Sequence, residues 1–502
     1  MTTSIRRGSI ALVLGMAIGC TLGPDPNHPP RTAADQARHF VGEPINVPPG
    51  SPPDDWWKHF ADPPTERLVE QALANNLDLK AAASRVLQAQ ATLASARGAR
   101  WPQADLSFSA NRNKFSFVLP QVGRVGIFST TYSGQLSISY QLDLFGRLAR
   151  SKQAAWATLL ATEADRRTVL NTLIAQVVRT RVSLAALERQ LRIDRGIAES
   201  WDHTLRITEG RYRAGIVDAT QLHLVRESAA AAEAAVPQVR RQVATTRHAL
   251  DILVGLRPGT GKEIPQTLPP LPALDPVPLG LPASLLDRRP DLVAARMRLV
   301  AATAQVGVAL ANLYPNLSLS ASAGRTGNKL NELENSNTEV YNAVLNVVAP
   351  LFHGGQLRAE VRRSRARAEE AAAQYAEAVL KALGEVEDAL SAEEQLRLQL
   401  RAVKRQLQAA RSAADLARWR YEAGNGQLLD LLVADRACRQ AELALTTVRA
   451  SLWDTRVGIF LALGGDWASS GRRSPELRKG QNPPVSTLSE PSKPPAARKP
   501  RG

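Results

Sequence analysis

Seven histidines, His28, His39, His59, His203, His223, His248 and His353, are the side chains best suited to hold a metal or move a proton near neutral pH. Metal binding needs them gathered on one face, as in His-Glu-x-x-His, and no such spacing occurs. His203 and His223 fall within long charged helical runs and read as solvated positions. The glycine pairs at 354–355 and 464–465 lack the downstream Lys-Ser/Thr of a phosphate-cradling loop and read as connections. Cys20 and Cys438 are the only thiols, too few for a disulfide framework, and Cys438 reads as a helix packing residue. Enzyme chemistry is therefore not expected, and no metal or cofactor.

Cys20 is different because of what precedes it. "MTTSIRRGSIALVLGMAIGC" carries a basic start, an apolar stretch of about a dozen residues and small residues before the cysteine, the pattern of a secretory signal over 1–19. It is too short for a stable membrane span. Gly19-Cys20 resembles a bacterial lipoprotein cleavage site, which implies a covalent lipid on Cys20. Ala17 departs from that pattern, where leucine is usual, and Thr21 in place of Asp implies sorting to the outer membrane.

The rest of the chain is written twice. "RYRAG" from Arg211 returns as "RYEAG" from Arg420, an offset of 209 residues. "WPQADLSFSA" from Trp101 aligns with "YPNLSLSASA" from Tyr314, and "LFGR" at Leu144 with "LFHGG" at Leu351. Three landmarks in one order at nearly one spacing define a tandem repeat of roughly 210 residues, far longer than a solenoid unit. The repeats cover 66–257 and 290–465, with an extended arm at 20–65, a linker at 258–289 and a basic Pro-rich tail at 466–502. Eleven prolines fall within 24–64, which accounts for the arm.

Within each repeat, helix and strand signals separate cleanly. No proline occurs between Pro120 and Pro237 or between Pro350 and Pro475. Helices over 148–209 and 356–423 are expected, the second about 100 Å long at ~1.5 Å per residue. Val379, Leu383, Val386 and Leu390, then Leu396, Leu400, Val403 and Leu407, step 4-3-4 as in a coiled-coil seam. Shorter return helices are expected at 66–100, 219–256, 290–313 and 427–463, so that two shorter helices flank each long one. Gly215 and Gly424 then close the hairpins as left-handed caps. Between the helices the period becomes two: in "QLSISYQLDLF" from Gln135 apolar and polar residues alternate. Strands are expected at 103–118, 129–144, 316–328 and 339–351. Four such strands suit a membrane barrel but cannot close one, and an open edge cannot face lipid, so the chain must oligomerise.

The net charge of +16 does not point to nucleic acid. The tail 471–502 holds eight basic residues against two acidic ones, Arg6 and Arg7 add two more, and no basic cluster is interleaved with aromatics.

At this point the chain resembles the TolC-type outer membrane factors, in the lipoprotein branch of NodT/OprM-like efflux components. The resemblance rests on "WWKHFADP" (56–63), "RRPDLVAARMRLVAATAQVGVALANLYPNLSLSAS" (288–322), "PLFHGGQLRAEV" (350–361) and "YEAG…LLDLL", and runs from about residue 20 to 465. It implies a mainly α, TolC-like homotrimer: an outer-membrane β-barrel, four strands from each chain, continued by a long periplasmic helical barrel. The arm and linker would form a belt, and substrate would arrive from an inner-membrane pump through a periplasmic adaptor at the hairpins of Gly215 and Gly424. The family closes its tip with residues just past the second hairpin, often acids six and nine positions beyond the glycine. Here these are Asp430 and Val433, so a double acidic ring is not matched; Leu429 and Arg436 also match gate-region positions. A carboxylate at Asp430 equally suits the first turn of a helix. An outer-membrane channel for type I protein secretion, and a periplasmic coiled-coil adaptor or tether, are the alternatives, the second having no use for two amphipathic strand pairs. The cargo is not legible.

Overall fold

Long uninterrupted runs of Ala, Leu, Glu, Arg and Gln favour helix, and helix dominates the computed structural model of the chain. The structure describes residues 21–25, 32–36, 40–41, 55–60, 62–119, 123–261, 271, 277, 279, 282–334 and 336–464. Cys20, the signal, the tail from 465 and much of the arm and linker lie outside the described residues. In chain order come α1 (Pro63–Asn75), α2 (Leu77–Gly98), β1 (Gln103–Leu119), β2 (Gly123–Leu142), α3 (Arg147–Arg213) and α4 (Ala219–Leu253). The second half follows as α5 (Pro290–Ala311), β3 (Asn316–Gly327), β4 (Glu339–Val348), α6 (Gln356–Glu422) and α7 (Leu428–Ala462).

The two long helices, α3 and α6, have 67 residues each, about 100 Å at ~1.5 Å per residue. Near the strands the helices pack side by side in the order α2, α3, α5, α6. Toward the hairpins the order is α4, α3, α7, α6. The wall is thus one helix thick along its whole length, with α3 and α6 as the continuous members. The 4-3-4 seam is its glue: Leu400, Val403 and Leu407 of α6 bury against Ala441, Leu445, Val448 and Leu452 of α7. Val379, Val386 and Leu390 join a larger cluster around mid-wall.

One expected helix is two. The run over 66–100 breaks at Asn76, whose side-chain oxygen accepts from the Leu79 amide at 3.1 Å and starts α2. Its amide nitrogen donates to the Leu253 carbonyl at 3.0 Å, tying down the end of α4. An asparagine that can satisfy three helix ends outcompetes continuation of the helix. Pro237, conversely, stays inside α4.

Mid-wall, the arm contributes an aromatic plug. Trp56, Trp57 and Phe60 lie on one 3-10 turn, and Trp56, fully buried, stacks on Phe460 at 5.3 Å between centroids. Phe60 meets Trp453 edge-on at 4.7 Å. Arg456 donates twice to Glu393, at 2.8 and 2.9 Å, and Arg397 also bonds that carboxylate, which joins α6 to α7 at a site only 7% exposed.

The sheet runs β1-β2-β3-β4, antiparallel throughout, so the two hairpins of the two repeats are joined by β2 and β3. Over the part of the sheet nearer the helices, register keeps one face apolar across all four strands: Leu106, Leu136, Ala323 and Tyr341 form one row, and Tyr140, Leu319 and Leu345 another. The opposite face is wet, with Asp105, Ser137, Ser322 and Asn342 in a row. There Ser109 and Ser133 share a hydrogen bond of 2.8 Å, and Gln135 donates to Ser322 at 2.7 Å. β2 begins at Gly123, six residues before the expected start at 129, because backbone pairing continues where the side-chain pattern has lapsed. Among the described residues, β1 and β4 each have one unpaired edge.

Candidate functional site

Both hairpins end the long helices in the same way. Ile216 N–H donates to the Arg211 carbonyl and Asn425 N–H to that of Arg420, each at 2.9 Å. The intervening Gly215 and Gly424 have φ of +70° and +81°, the left-handed region that permits this closure. The two caps differ in their surroundings. Arg211 donates to the carbonyls of Tyr421 and Glu422 at 2.9 and 2.8 Å, adding a cationic donor to the end of α6, and stands 5.2 Å from the Tyr421 ring. Thr208 completes the link with a 2.9 Å bond to the Tyr421 hydroxyl. Tyr421 is consequently 3% exposed, whereas its repeat counterpart Tyr212 is 44% exposed. This clasp was not read from the sequence, although the doubled Arg-Tyr was its signal.

Just past the second hairpin, Leu429 and Val433 are 64% and 60% exposed, and Arg436 is exposed with them. Spaced four and three apart, they share one face of α7, and Asp430 flanks it in the first turn. The structure therefore brings Leu429 and Arg436 onto one stripe, with Val433 between them and Asp430 beside them. Continued in 4-3 steps, the stripe reaches Leu443, Thr447, Ala450 and Asp454, which line a groove of about 1040 Å³ between α3 and α6. Gln190, Gln395 and Gln399 add amides to its walls. On the other side of α7, Asp435 accepts from Trp201 at 3.1 Å and Arg418 at 2.8 Å, and Arg439 donates to Asp194 at 3.0 Å. These bonds pin α7 between α3 and α6 and leave the stripe free.

No cluster able to hold a metal occurs among the described residues, and His203 and His223 are exposed. Burial pushes the Cys438 thiol up, away from nucleophilic chemistry. The chain following Cys20 is seated where β2 gives way to α3: Arg150 donates to the carbonyls of Leu22 at 3.0 Å and Gly23 at 3.3 Å. A side chain at Gly307 would come within 2.8 Å of the Leu22 carbonyl, so the seat exists only because that residue is glycine.

A wall one helix thick, grooved along α7 and capped by a sheet that is apolar on one face near the helices, defines a membrane channel subunit. Residues 68–256 and 281–465 match the outer membrane efflux protein family, and the chain belongs to it. The pyoverdine export outer membrane protein OpmQ of Pseudomonas aeruginosa is 35% identical over 425 residues, covering 82% of this chain and 88% of that protein. The toluene efflux pump outer membrane protein TtgF of Pseudomonas putida is 31% identical over 91% of this chain and 96% of its own length. Among solved structures, the outer-membrane channel OprN superposes with a TM-score of 0.80 at 33% identity, covering 89% of this chain and all of that one. The open MtrE channel of Neisseria gonorrhoeae gives 0.76 at 26%, over 89% and 99% of the two chains. The fold is TolC-like, and the protein is the outer-membrane channel component of an efflux system.

Proposed function

We propose that three copies close one barrel in the outer membrane, with the helical wall forming a tunnel in the periplasm and Cys20 carrying a lipid that anchors the arm. The carrying observation is the four-stranded sheet, apolar on one face and unpaired at both edges, set on a wall about 100 Å long. Native mass spectrometry of detergent-solubilised protein is expected to find three chains. A stable monomer that keeps its membrane β-structure would overturn the closure argument.

The lipid rests on the Gly19-Cys20 signal and on the seat that holds residues 21–25 beside the base of the sheet. Mass spectrometry of membrane-extracted protein is expected to show a mature chain starting at Cys20 with acyl mass added. A start elsewhere without lipid sinks the anchor.

At the far end, the hairpins of Gly215 and Gly424 meet a periplasmic adaptor that hands over cargo from an inner-membrane pump. Leu429, Asp430 and Arg436 line the aperture, with Val433 supplying an apolar collar beside Leu429 in place of a second acid. Three copies of Asp430 then attract cations at the mouth. Asp430→Ala is expected to lower cation selectivity in single-channel recordings from planar bilayers. Unchanged conductance and selectivity would reduce Asp430 to a helix-start residue.

A further inference from the structure

The apolar face of the β1–β2 hairpin changes character along its length. From the helix end, β1 presents Ala104, Leu106, Phe108 and Ala110 against Ile138, Leu136, Gly134 and Tyr132 of β2. The same face then turns basic. Arg112 stands opposite Thr130, Lys114 opposite Phe128, and Arg124 opposite Val118 further out. At that height the other face is neutral, with Asn111, Asn113, Ser129 and Thr131. The Arg112 guanidinium and the Lys114 ammonium lie 5.5 and 5.2 Å from the centroid of the Phe128 ring, so two cations share one aromatic platform. Neither makes an ion pair among the described residues. On the second hairpin the corresponding face carries Arg325, and there Glu339 neutralises it at 3.3 Å.

Height settles what the pair faces. Trp101, largely exposed, precedes Ala104 and marks one interface, as aromatic girdles do in outer-membrane barrels. At ~3.4 Å per residue and a tilt of about 40°, Arg112 and Lys114 stand roughly 21 and 26 Å above Ala104 along the membrane normal. The apolar band of such barrels is about 25 Å tall. The two cations therefore sit at its outer rim, at the depth of lipid phosphates. Arg124, level with Val118, lies roughly 10 Å beyond Lys114, out of reach of a simple phospholipid head but level with a sugar headgroup.

We infer that Arg112 and Lys114, over Phe128, bind a phosphate of a phosphorylated glycolipid in the outer leaflet, with Arg124 reaching its outer sugars. A compact cation pair with no carboxylate of its own is matched by a phosphate, which accepts from both donors at once. The inference rests on the proposed orientation, in which the strand ends opposite the helices face the exterior.

The test uses the full-length protein in detergent, titrated with fluorescent lipid A, with dephosphorylated lipid A and with phosphatidylethanolamine, inorganic phosphate serving as competitor. Lipid A is expected to bind, its dephosphorylated form and phosphatidylethanolamine at least tenfold more weakly, and inorganic phosphate to compete only at far higher concentration. The R112Q/K114Q variant is expected to lose at least tenfold in lipid A affinity with unchanged single-channel conductance. Equal binding by the variant, or by dephosphorylated lipid A, would overturn the site; so would phosphate competing as well as lipid A, which would leave an anion site with no glycolipid preference. Orientation is read separately: a cysteine at Arg124 (R124C) should react with an impermeant maleimide on intact cells. Absence of labelling removes the outer-leaflet assignment together with the orientation proposed above, whatever the binding result.

Discussion

Export should be abolished when Gly215 and Gly424 are both replaced by valine, while the protein remains in the membrane. Among the described residues, no neighbouring atom lies within 4 Å of where a side chain would start at either position, so a clash of its first carbon is not the cause. It comes from the backbone. With φ of +70° and +81°, an ordinary residue loses roughly 1–2 kcal/mol at each site, and a β-branched one more. Relief of that strain breaks the closing bonds of Ile216 and Asn425 and splays both tips. The sheet, a wall-length away, is untouched. Asparagine tolerates the left-handed region, so Gly215→Asn with Gly424→Asn should export nearly normally. Cellular efflux, with membrane content measured alongside, checks both. Normal export by the valine pair would mean that the tips make no contact that matters.

Glu393→Leu should lower stability by about 3–5 kcal/mol, the usual cost of removing one member of a buried ion pair. Arg456, equally buried, loses a carboxylate that accepts two of its bonds, and Arg397 loses the same partner. An apolar pair of similar volume removes the buried cation together with its carboxylate, so Glu393→Leu with Arg456→Met should recover most of the loss. Loss of the helical circular-dichroism signal on heating reads both variants. If the double variant melts as low as the single one, the pair matters through shape rather than charge. Because the pair joins α6 to α7 in mid-wall, the single variant should also weaken the seam of Leu400, Val403 and Leu407 below it.

What was legible in the chain followed from period and punctuation. The seam residues announced α6 because a 4-3 step has few other uses, and the doubled Arg-Tyr-x-Ala-Gly announced two hairpins because glycine at a helix end has a backbone reason. Alternation in Gln135–Leu142 located β2, and the register then showed that the apolar face continues across β3 and β4. Contacts between distant segments were not legible. Nothing near Asn76 says that its amide will reach Leu253, and nothing in either copy of Arg-Tyr says that Arg211 will cap α6 while Arg420 stays on its own strand of the wall. The pairing of β2 with β3 was equally hidden, since each hairpin is locally complete. At the aperture, Leu429 and Arg436 could be placed by resemblance; that Val433 stands between them on one face needed the helix.

The open edges of β1 and β4 also govern timing. Until another chain's strand occupies each edge, a row of backbone groups remains unpaired, at roughly several kcal/mol per group if lipid surrounds them. If three copies close the barrel as proposed, a lone chain has no finished form in which to wait inside the membrane. Insertion and the encounter of subunits become one event, whose rate depends steeply on how many chains are present nearby. Stoichiometry then needs no separate inspector, because an incomplete ring still displays raw edge, the same feature by which chaperones and proteases know an unfinished protein.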